Sequence, residues 1–438
     1  MTDSVNTREL ALMSLIEINE KGQYSHLVLR QVLDKYQYLS KQDRAFISRL
    51  VEGTLEYQIK LDYIIDSFSK TKVSKMKPFI RNLLRMSIYQ MKYMDSVPDS
   101  AVCNEAVKLA KRHKFGQLSG FVNGVLRNIS RQADTVKFPG RDRITDYLSI
   151  EYSMPKWLVE KFEKQYGDVE TEEILKGFQR PNTISIRVNT SQISPDELKN
   201  NLEAEGVSVY PVIVDGEKLE YAFVISGFDY ISKLESFQKG LFYIQDVSSM
   251  MVAEAAGPKE GDYVIDVCAA PGGKSTHIAE LLKGSGHVDA RDLTDYKVSL
   301  IEDNIARCRL DNIDARVWDA RVLDRESVDK ADVLVCDLPC SGIGVLGRKK
   351  DIRYKINEEQ LEELVELQRQ ILDTVYCYVK PQGKLIYSTC TINRDENEDN
   401  IKWFLDKYPQ FCLVEKRQML PGQVGNDGFF IAELIRSR

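Results

Sequence analysis

The chain is expected to be an α/β protein with a doubly wound, Rossmann-like parallel sheet, preceded by an all-α bundle and a small α/β subdomain. Three observations carry that expectation. From about residue 260 onward, strand-like apolar runs alternate with polar or helical stretches. Residues 5 to about 130 keep helical periodicity with sparse Gly and Pro. At 438 residues the chain is also too long for one ordinary domain. The expected parts are 1–135, 136–240 and 241–438.

In the front part Leu84, Ile88 and Met91 recur at i, i+4, i+7. Val122, Val125, Leu126 and Ile129 recur at i, i+3, i+4, i+7. Each set makes one apolar helix face, and several such faces make a bundle. The stretch "RQADTVKFPGRDRITDYLSI" (131–150) is polar, contains Pro139-Gly140, and reads as a first linker. Residues 1–150 hold 24 Lys and Arg against 16 Asp and Glu, a net of +8. Residues 151–438 hold 36 against 50, a net of −14. A basic module on an acidic body can supply phosphate contacts, although a solvated helical surface would give the same count.

Between 150 and 240 the signals mix. "PKWLVEKFEKQYG" is an amphipathic helix, "ISIRVNT" and "LFYIQD" are strand-like, and "SPDELKNNLEAEG" is a helix capped by Ser194 or by Ser191 just upstream. Beyond it come the strands "DYVIDVCA", "GHVDARDL", "ARVWDA", "ADVLVCDLP" and "GKLIYSTC".

In doubly wound sheets the ligand lies beyond the carboxyl ends of the strands. There this sequence puts Asp266 to Lys274, Asp292, Asp319, Asp337 to Cys340, and Thr389-Cys390. In "DVCAAPGGKST", Gly272 and Gly273 allow a tight turn into a helix. A phosphate-binding P-loop would need Gly at 268, where Cys268 stands, and this loop carries no G-x-G-x-x-G. Asp292 is suited to a ribose and Asp319 to an adenine edge, so a nucleoside-bearing cofactor without a large phosphate load is expected. Pro339 turns the chain to expose Cys340. The run "GRKKDIRYK" that follows could hold a polyanion or be only a solvated face. Which of Cys340 and Cys390 would act as nucleophile is left open by the residues alone.

The eight cysteines form no CxxC pair and the four histidines are scattered, so no metal site is expected. The absence of a long apolar run and of a basic-then-apolar start points to a cytoplasmic chain with reduced cysteines and no membrane partner.

"CAAPGGK", "DLPCSGIG" and "YSTCTINRDENE" together resemble the RNA (cytosine-5) methyltransferase family. "DRAFISRLVEGTLE", "VPDSAVCNEAVKLAKRHKFG" and "FVNGVLRNI" resemble the NusB-type RNA-binding helical domain, and "SIRVNT", "YIQDVSS" and "DGFFIAEL" also match family segments. The resemblance implies S-adenosylmethionine as cofactor, held by Cys268, Ala269, Ala270, Pro271, Gly272, Gly273 and Lys274 together with Asp292, Asp319 and Asp337. It implies Cys390 as the nucleophile toward cytosine C6 and Cys340 as the group that helps remove the C5 proton and release product. Asp337 would stabilise the base and Lys274 would orient it. Arg187, Arg348, Lys349 and Lys350 are expected to touch RNA. The implied substrate is 16S rRNA, free or in an early small-subunit particle, at cytosine 967 in the customary numbering, with a monomeric enzyme. A non-enzymatic RNA-binding or antitermination factor has no need of acids and thiols at successive strand ends. A transfer-RNA target is disfavoured only by analogy through the NusB-like front.

Overall fold

The computed structural model describes residues 5–422 and 427–437. They form two compact units, one reaching to Gln179 and including Arg348–Lys355, the other comprising Arg180–Gly347 and Ile356 onward.

The first unit is helical: α1 (Thr7–Lys21), α2 (Ser25–Lys35), α3 (Lys41–Glu56), α4 (Gln58–Phe68), α5 (Pro78–Tyr93), α6 (Asp99–Arg112), α7 (Ser119–Gln132), α8 (Ile144–Glu151) and α9 (Lys156–Phe178). Pro78 opens α5 at a position where its missing N–H costs nothing. Leu84, Ile88, Val122, Val125, Leu126 and Ile129 all lie in one shared core, as their spacing predicts. Each fully buried Leu of that core contributes about 2 kcal/mol. Asp62 receives the Arg85 guanidinium as a fork, with both bonds at 2.6 Å.

The expected linker at 131–150 is folded structure. α8 lies within it, Lys60 Nζ reaches Glu151 at 2.9 Å, and Tyr63 Oη donates to Lys137 O at 2.8 Å. The compact units divide at 179/180. Residues 348–355 also belong to the helical unit. Asp351 accepts from Ser25 N at 3.0 Å and from Ser25 Oγ, Lys350 pairs with Glu56, and Tyr354 Oη donates to Leu55 O at 2.7 Å.

The second unit holds two sheets. The smaller joins β1 (Ile184–Val188), β2 (Ser208–Val214), β3 (Glu217–Ser226) and β4 (Phe242–Ile244) in the order β2-β3-β1-β4, all antiparallel. With it run α10 (Pro195–Ala204) and the single turn α11 (Glu235–Gln238). Ser194 is the cap of α10, closing a reciprocal box with Glu197.

After α12 (Val247–Ala256) come β5 (Tyr263–Asp266), α13 (Gly273–Leu281), β6 (His287–Asp292), α14 (Asp295–Cys308), β7 (Ile313–Val317) and β8 (Ala331–Asp337). The chain closes with α15 (Glu358–Val375), β9 (Val379–Thr389), α16 (Glu398–Lys407), β10 (Phe411–Met419) and β11 (Phe429–Arg436). The sheet order is β10-β11-β9-β8-β5-β6-β7, with β9-β8-β5-β6-β7 parallel. All five strands read from the sequence are there. The β10–β11 pair adds an antiparallel edge that the parallel-sheet expectation did not include. From β5 the chain winds outward to β7, then returns to β8 on the other side. The order thus reverses between β5 and β8, where such sheets open a crevice. No described helix is long and apolar enough to cross a membrane.

Candidate active site

The loop after β5 is fixed by bonds to its neighbours. Ala269 N donates to Arg291 O at 2.8 Å, and Ala270 N donates to Asp292 Oδ2 at 3.0 Å. The Pro271 carbonyl accepts from Tyr243 Oη at 3.2 Å and Asn304 Nδ2 at 3.0 Å. Gly272 turns the chain into α13 with φ 100°, and a Cβ there would come within 3.2 Å of Ile301 Cγ2. Cys268 contributes backbone to this loop; burial pushes its thiol well above the ordinary cysteine range.

Asp292 ends β6 and is 3% exposed. Besides Ala270 N it accepts from Leu293 N at 2.7 Å and pairs with Lys297 Nζ at 3.0 Å. Asp319 follows β7, and both its oxygens are bound by the Arg321 fork at 3.0 and 2.7 Å. Trp318 N, next to it, donates to Asp292 O at 2.9 Å, so the ends of β6 and β7 are joined.

Across the switch point, β8 and β9 pair with Asp337 opposite Ser388. Asp337 accepts from Ser388 Oγ at 2.8 Å and from Lys274 Nζ at 2.7 Å. Burial alone would lower the Lys274 ammonium, but Asp337 outweighs it, and Lys274 stays above the ordinary lysine value. Asp266, fully buried at the end of β5, accepts from Ser275 Oγ at 2.6 Å, and burial lifts its carboxyl to about 7.

Cys340 Sγ and Cys390 Sγ lie 3.3 Å apart. The bond to Cys390 and burial together push the Cys340 thiol far above the ordinary cysteine range. Gly344 seals the same corner. Its N–H donates to Cys390 O at 3.1 Å, and a Cβ there would overlap Gly428 O at 1.9 Å.

The segment after Cys390 is not the exposed polar helix start that its composition suggests. α16 begins only at Glu398, and Thr391, Asn393, Glu396 and Asn397 are all fully buried. These residues, with Ser341 and Gln368, escaped sequence reasoning. The one available signal was a polar run directly abutting a strand end.

Arg187 does not stand where an RNA contact would need it. Arg187 is 0% exposed and donates to Gln245 Oε1 and Gly273 O at 2.7 Å, Thr276 Oγ1 at 3.1 Å and Glu280 Oε1 at 2.9 Å. No phosphate can reach it, because its strand is central in its sheet and α13 covers it. Lys350 is likewise committed to Glu56. Arg348 is partly buried and has an interaction of its own, whereas Lys349 is exposed.

A loop rich in small residues, with no phosphate cradle and one nearly buried carboxylate on the next strand, fits a nucleoside ligand without a large phosphate load. The opposite half of the crevice brings two thiols, a carboxylate and an ammonium together. Among the described residues no group of three or more His, Cys, Asp and Glu is arranged to hold a metal.

The family model described as 16S rRNA methyltransferase RsmB/F matches residues 253–435, the NusB family model 5–131, and a ferredoxin-like domain of RsmF/B-like methyltransferases 154–223. A relative from Bacillus subtilis, "Probable ribosomal RNA small subunit methyltransferase B", is 38% identical over 98% of either chain. "Ribosomal RNA small subunit methyltransferase B" of Cronobacter sakazakii is 31% identical over 100% of both. Among solved structures, that of PH0851 aligns with a TM-score of 0.81 at 27% identity, over 98% of this chain and 99% of that one. NSun6 from Pyrococcus horikoshii, solved with SFG, aligns at 0.57 and 26% identity over 65% of this chain and 98% of its own. The chain belongs to the RsmB/F family of 16S rRNA methyltransferases.

Proposed function

We propose that the protein methylates carbon 5 of one cytosine of small-subunit rRNA, the position implied by its sequence resemblance, using S-adenosylmethionine and a covalent adduct through Cys390. The observation that carries this reading is the pair of thiols 3.3 Å apart at adjacent strand ends, beside the Asp337–Lys274 ion pair. S-adenosylmethionine supplies, when bound, an electrophilic methyl group. The backbone of 268–273, Asp292 on the ribose and the region of Asp319 would hold it.

Carbon 5 of cytosine is a weak nucleophile while the ring is aromatic. The Cys390 sulfur forms a bond to C6, the ring electrons move to C5, and C5 can then accept the methyl group. Cys390 suits this step because it directly follows β9 at the crevice end of the sheet, on the side where Asp337 holds the Lys274 ammonium. Asp337 accepts a hydrogen bond from the exocyclic amine and keeps the base in register. A base then takes the C5 proton, the C5–H electrons re-form the ring double bond, and the Cys390–C6 bond breaks with its electrons on the sulfur; the sequence resemblance gives Cys340 a part in that last step. A duplex base cannot enter such a crevice, so the target is single-stranded or flipped out.

A denaturing gel tests the roles. Wild type, Cys340→Ala, Cys390→Ala and the double variant are incubated with S-adenosylmethionine and unmodified small-subunit rRNA. The expected result is a slow protein–RNA band in Cys340→Ala alone. A band that instead needs Cys340 and appears in Cys390→Ala exchanges the two roles.

A further inference from the structure

Beyond the Cys340–Cys390 contact, further side chains bind the two cysteine loops to each other. Ser341 and Thr391 immediately follow Cys340 and Cys390, and their hydroxyls are 2.8 Å apart. Glu396 bridges the same loops. Its Oε2 accepts from Ser341 N at 2.9 Å and from Gln368 Nε2 at 3.0 Å, and its Oε1 accepts from Asn393 Nδ2 at 3.1 Å. Gln368 also donates to the carbonyl of Pro339, the residue before Cys340, at 2.8 Å. Thr391 Oγ1 further accepts from Asn393 N at 3.2 Å.

All these side chains are buried: Ser341 at 6% exposure, and Thr391, Asn393, Glu396 and Gln368 at 0%. A buried carboxylate and two buried amides are a costly filling, and apolar side chains of the same volume would stabilise at least as well. Such a network secures geometry more than stability. What it fixes here is the separation of the two thiols.

We propose that Ser341, Thr391 and Glu396 are positioning residues that hold Cys340 against Cys390, and that they serve the release step and not the attachment step. This rests on the roles given above to the two cysteines. The Cys390 loop is also anchored to the segment that follows it, Asn397 Nδ2 donating to Thr391 O at 3.0 Å, whereas Pro339 and Ser341 on either side of Cys340 are bonded to Gln368 and Glu396. Loosening the clamp therefore displaces Cys340 more than Cys390.

The test compares Thr391→Val, which keeps shape and loses the hydroxyl, with Thr391→Ser, which keeps the hydroxyl. Both are run beside wild type and Cys340→Ala, with turnover, trapped protein–RNA adduct and thermal midpoint measured on each full-length protein. The expected result for Thr391→Val is a 10- to 100-fold fall in turnover, roughly the cost of misplacing a reacting group by about 1 Å. Adduct should accumulate as in Cys340→Ala, and Thr391→Ser should return both readouts close to wild type. A merely structural role lowers adduct and turnover together with the folded fraction, and that outcome overturns the proposal, as does an unchanged partition in folded Thr391→Val. If Thr391→Val does not fold, Ser341→Ala opens the same hydroxyl pair from the other loop and is judged by the same outcomes. Absence of adduct in Cys340→Ala itself overturns the reading of the thiols and the clamp with it, which separates that failure from failure of the clamp alone.

Discussion

The strand-end cluster and the segment 348–355 follow one another along the chain, and both are rich in charge, yet their charges are neutralised differently. At the strand ends, Lys274 and Asp337 neutralise each other inside the crevice and two sulfurs share one corner. In 348–355 the partners come from the helical unit. Glu56 takes Lys350, while Asp351 is shared between Ser25 and Lys355, whose ammonium also donates to Gln23 O at 2.6 Å. The first arrangement leaves reactive groups facing one another; the second spends its polar atoms on packing. Charge density along a sequence thus says little until the partners are known.

The largest expected effect is at the reacting sulfur. Cys390→Ala should lower methyl transfer by at least about 10³-fold, read as labelled methyl incorporated into rRNA. Unaltered incorporation would remove the contrast, since the strand-end thiols would then also be packing groups.

Next is the buried ion pair whose arginine, Arg187, was expected to touch RNA. Arg187→Leu leaves Glu280 buried without its cation and should destabilise the second unit by about 3–5 kcal/mol in denaturant titrations. Adding Glu280→Leu should recover much of that loss. If single and double variants are equally unstable, the ion pair is not what Arg187 contributes.

Asp351→Ala should cost about 2 kcal/mol, because the Ser25 donors lose their acceptor. Burial would raise the Asp351 carboxyl, but Lys355 and Ser25 outweigh it and hold it below the ordinary carboxylate value. A depressed group contributes stability above its unfolded pKa of about 3.9 and loses it as pH falls through the lower folded value. The gap between wild type and Asp351→Ala should therefore be full at pH 6 and close as pH drops below about 4. A gap independent of pH would assign the effect to packing.

The smallest effects separate two neighbours. Lys350→Gln should cost about 1 kcal/mol and leave the salt dependence of RNA binding unchanged. Lys349→Gln should stay within about 0.5 kcal/mol of wild type in stability. If it is a phosphate contact, it lowers the salt slope by about one.

Legibility followed the kind of signal. Gly272, Asp292, Asp337, Cys340 and Cys390 could be read because each stands at a fixed offset from an apolar strand, and the topology gathers strand ends regardless of local detail. The β10–β11 edge was missed because Phe411–Met419 mixes charged and apolar residues without a clean alternation. Glu396 and Thr391 were hidden because polar residues read as exposed, although here they satisfy one another in the interior. Arg187 misled because its counter-charge, Glu280, lies 93 residues away in sequence.

The strap at 348–355 also sets an order of events during synthesis. Helices α1 to α9 leave the ribosome first, but the eight residues that complete their packing emerge only after residues 180–347 have been translated. Until then Ser25 and Glu56 stand without Asp351 and Lys350. The helical half is therefore finished late, and a fragment cut after Gln179 should be less stable than the same helices in the whole chain.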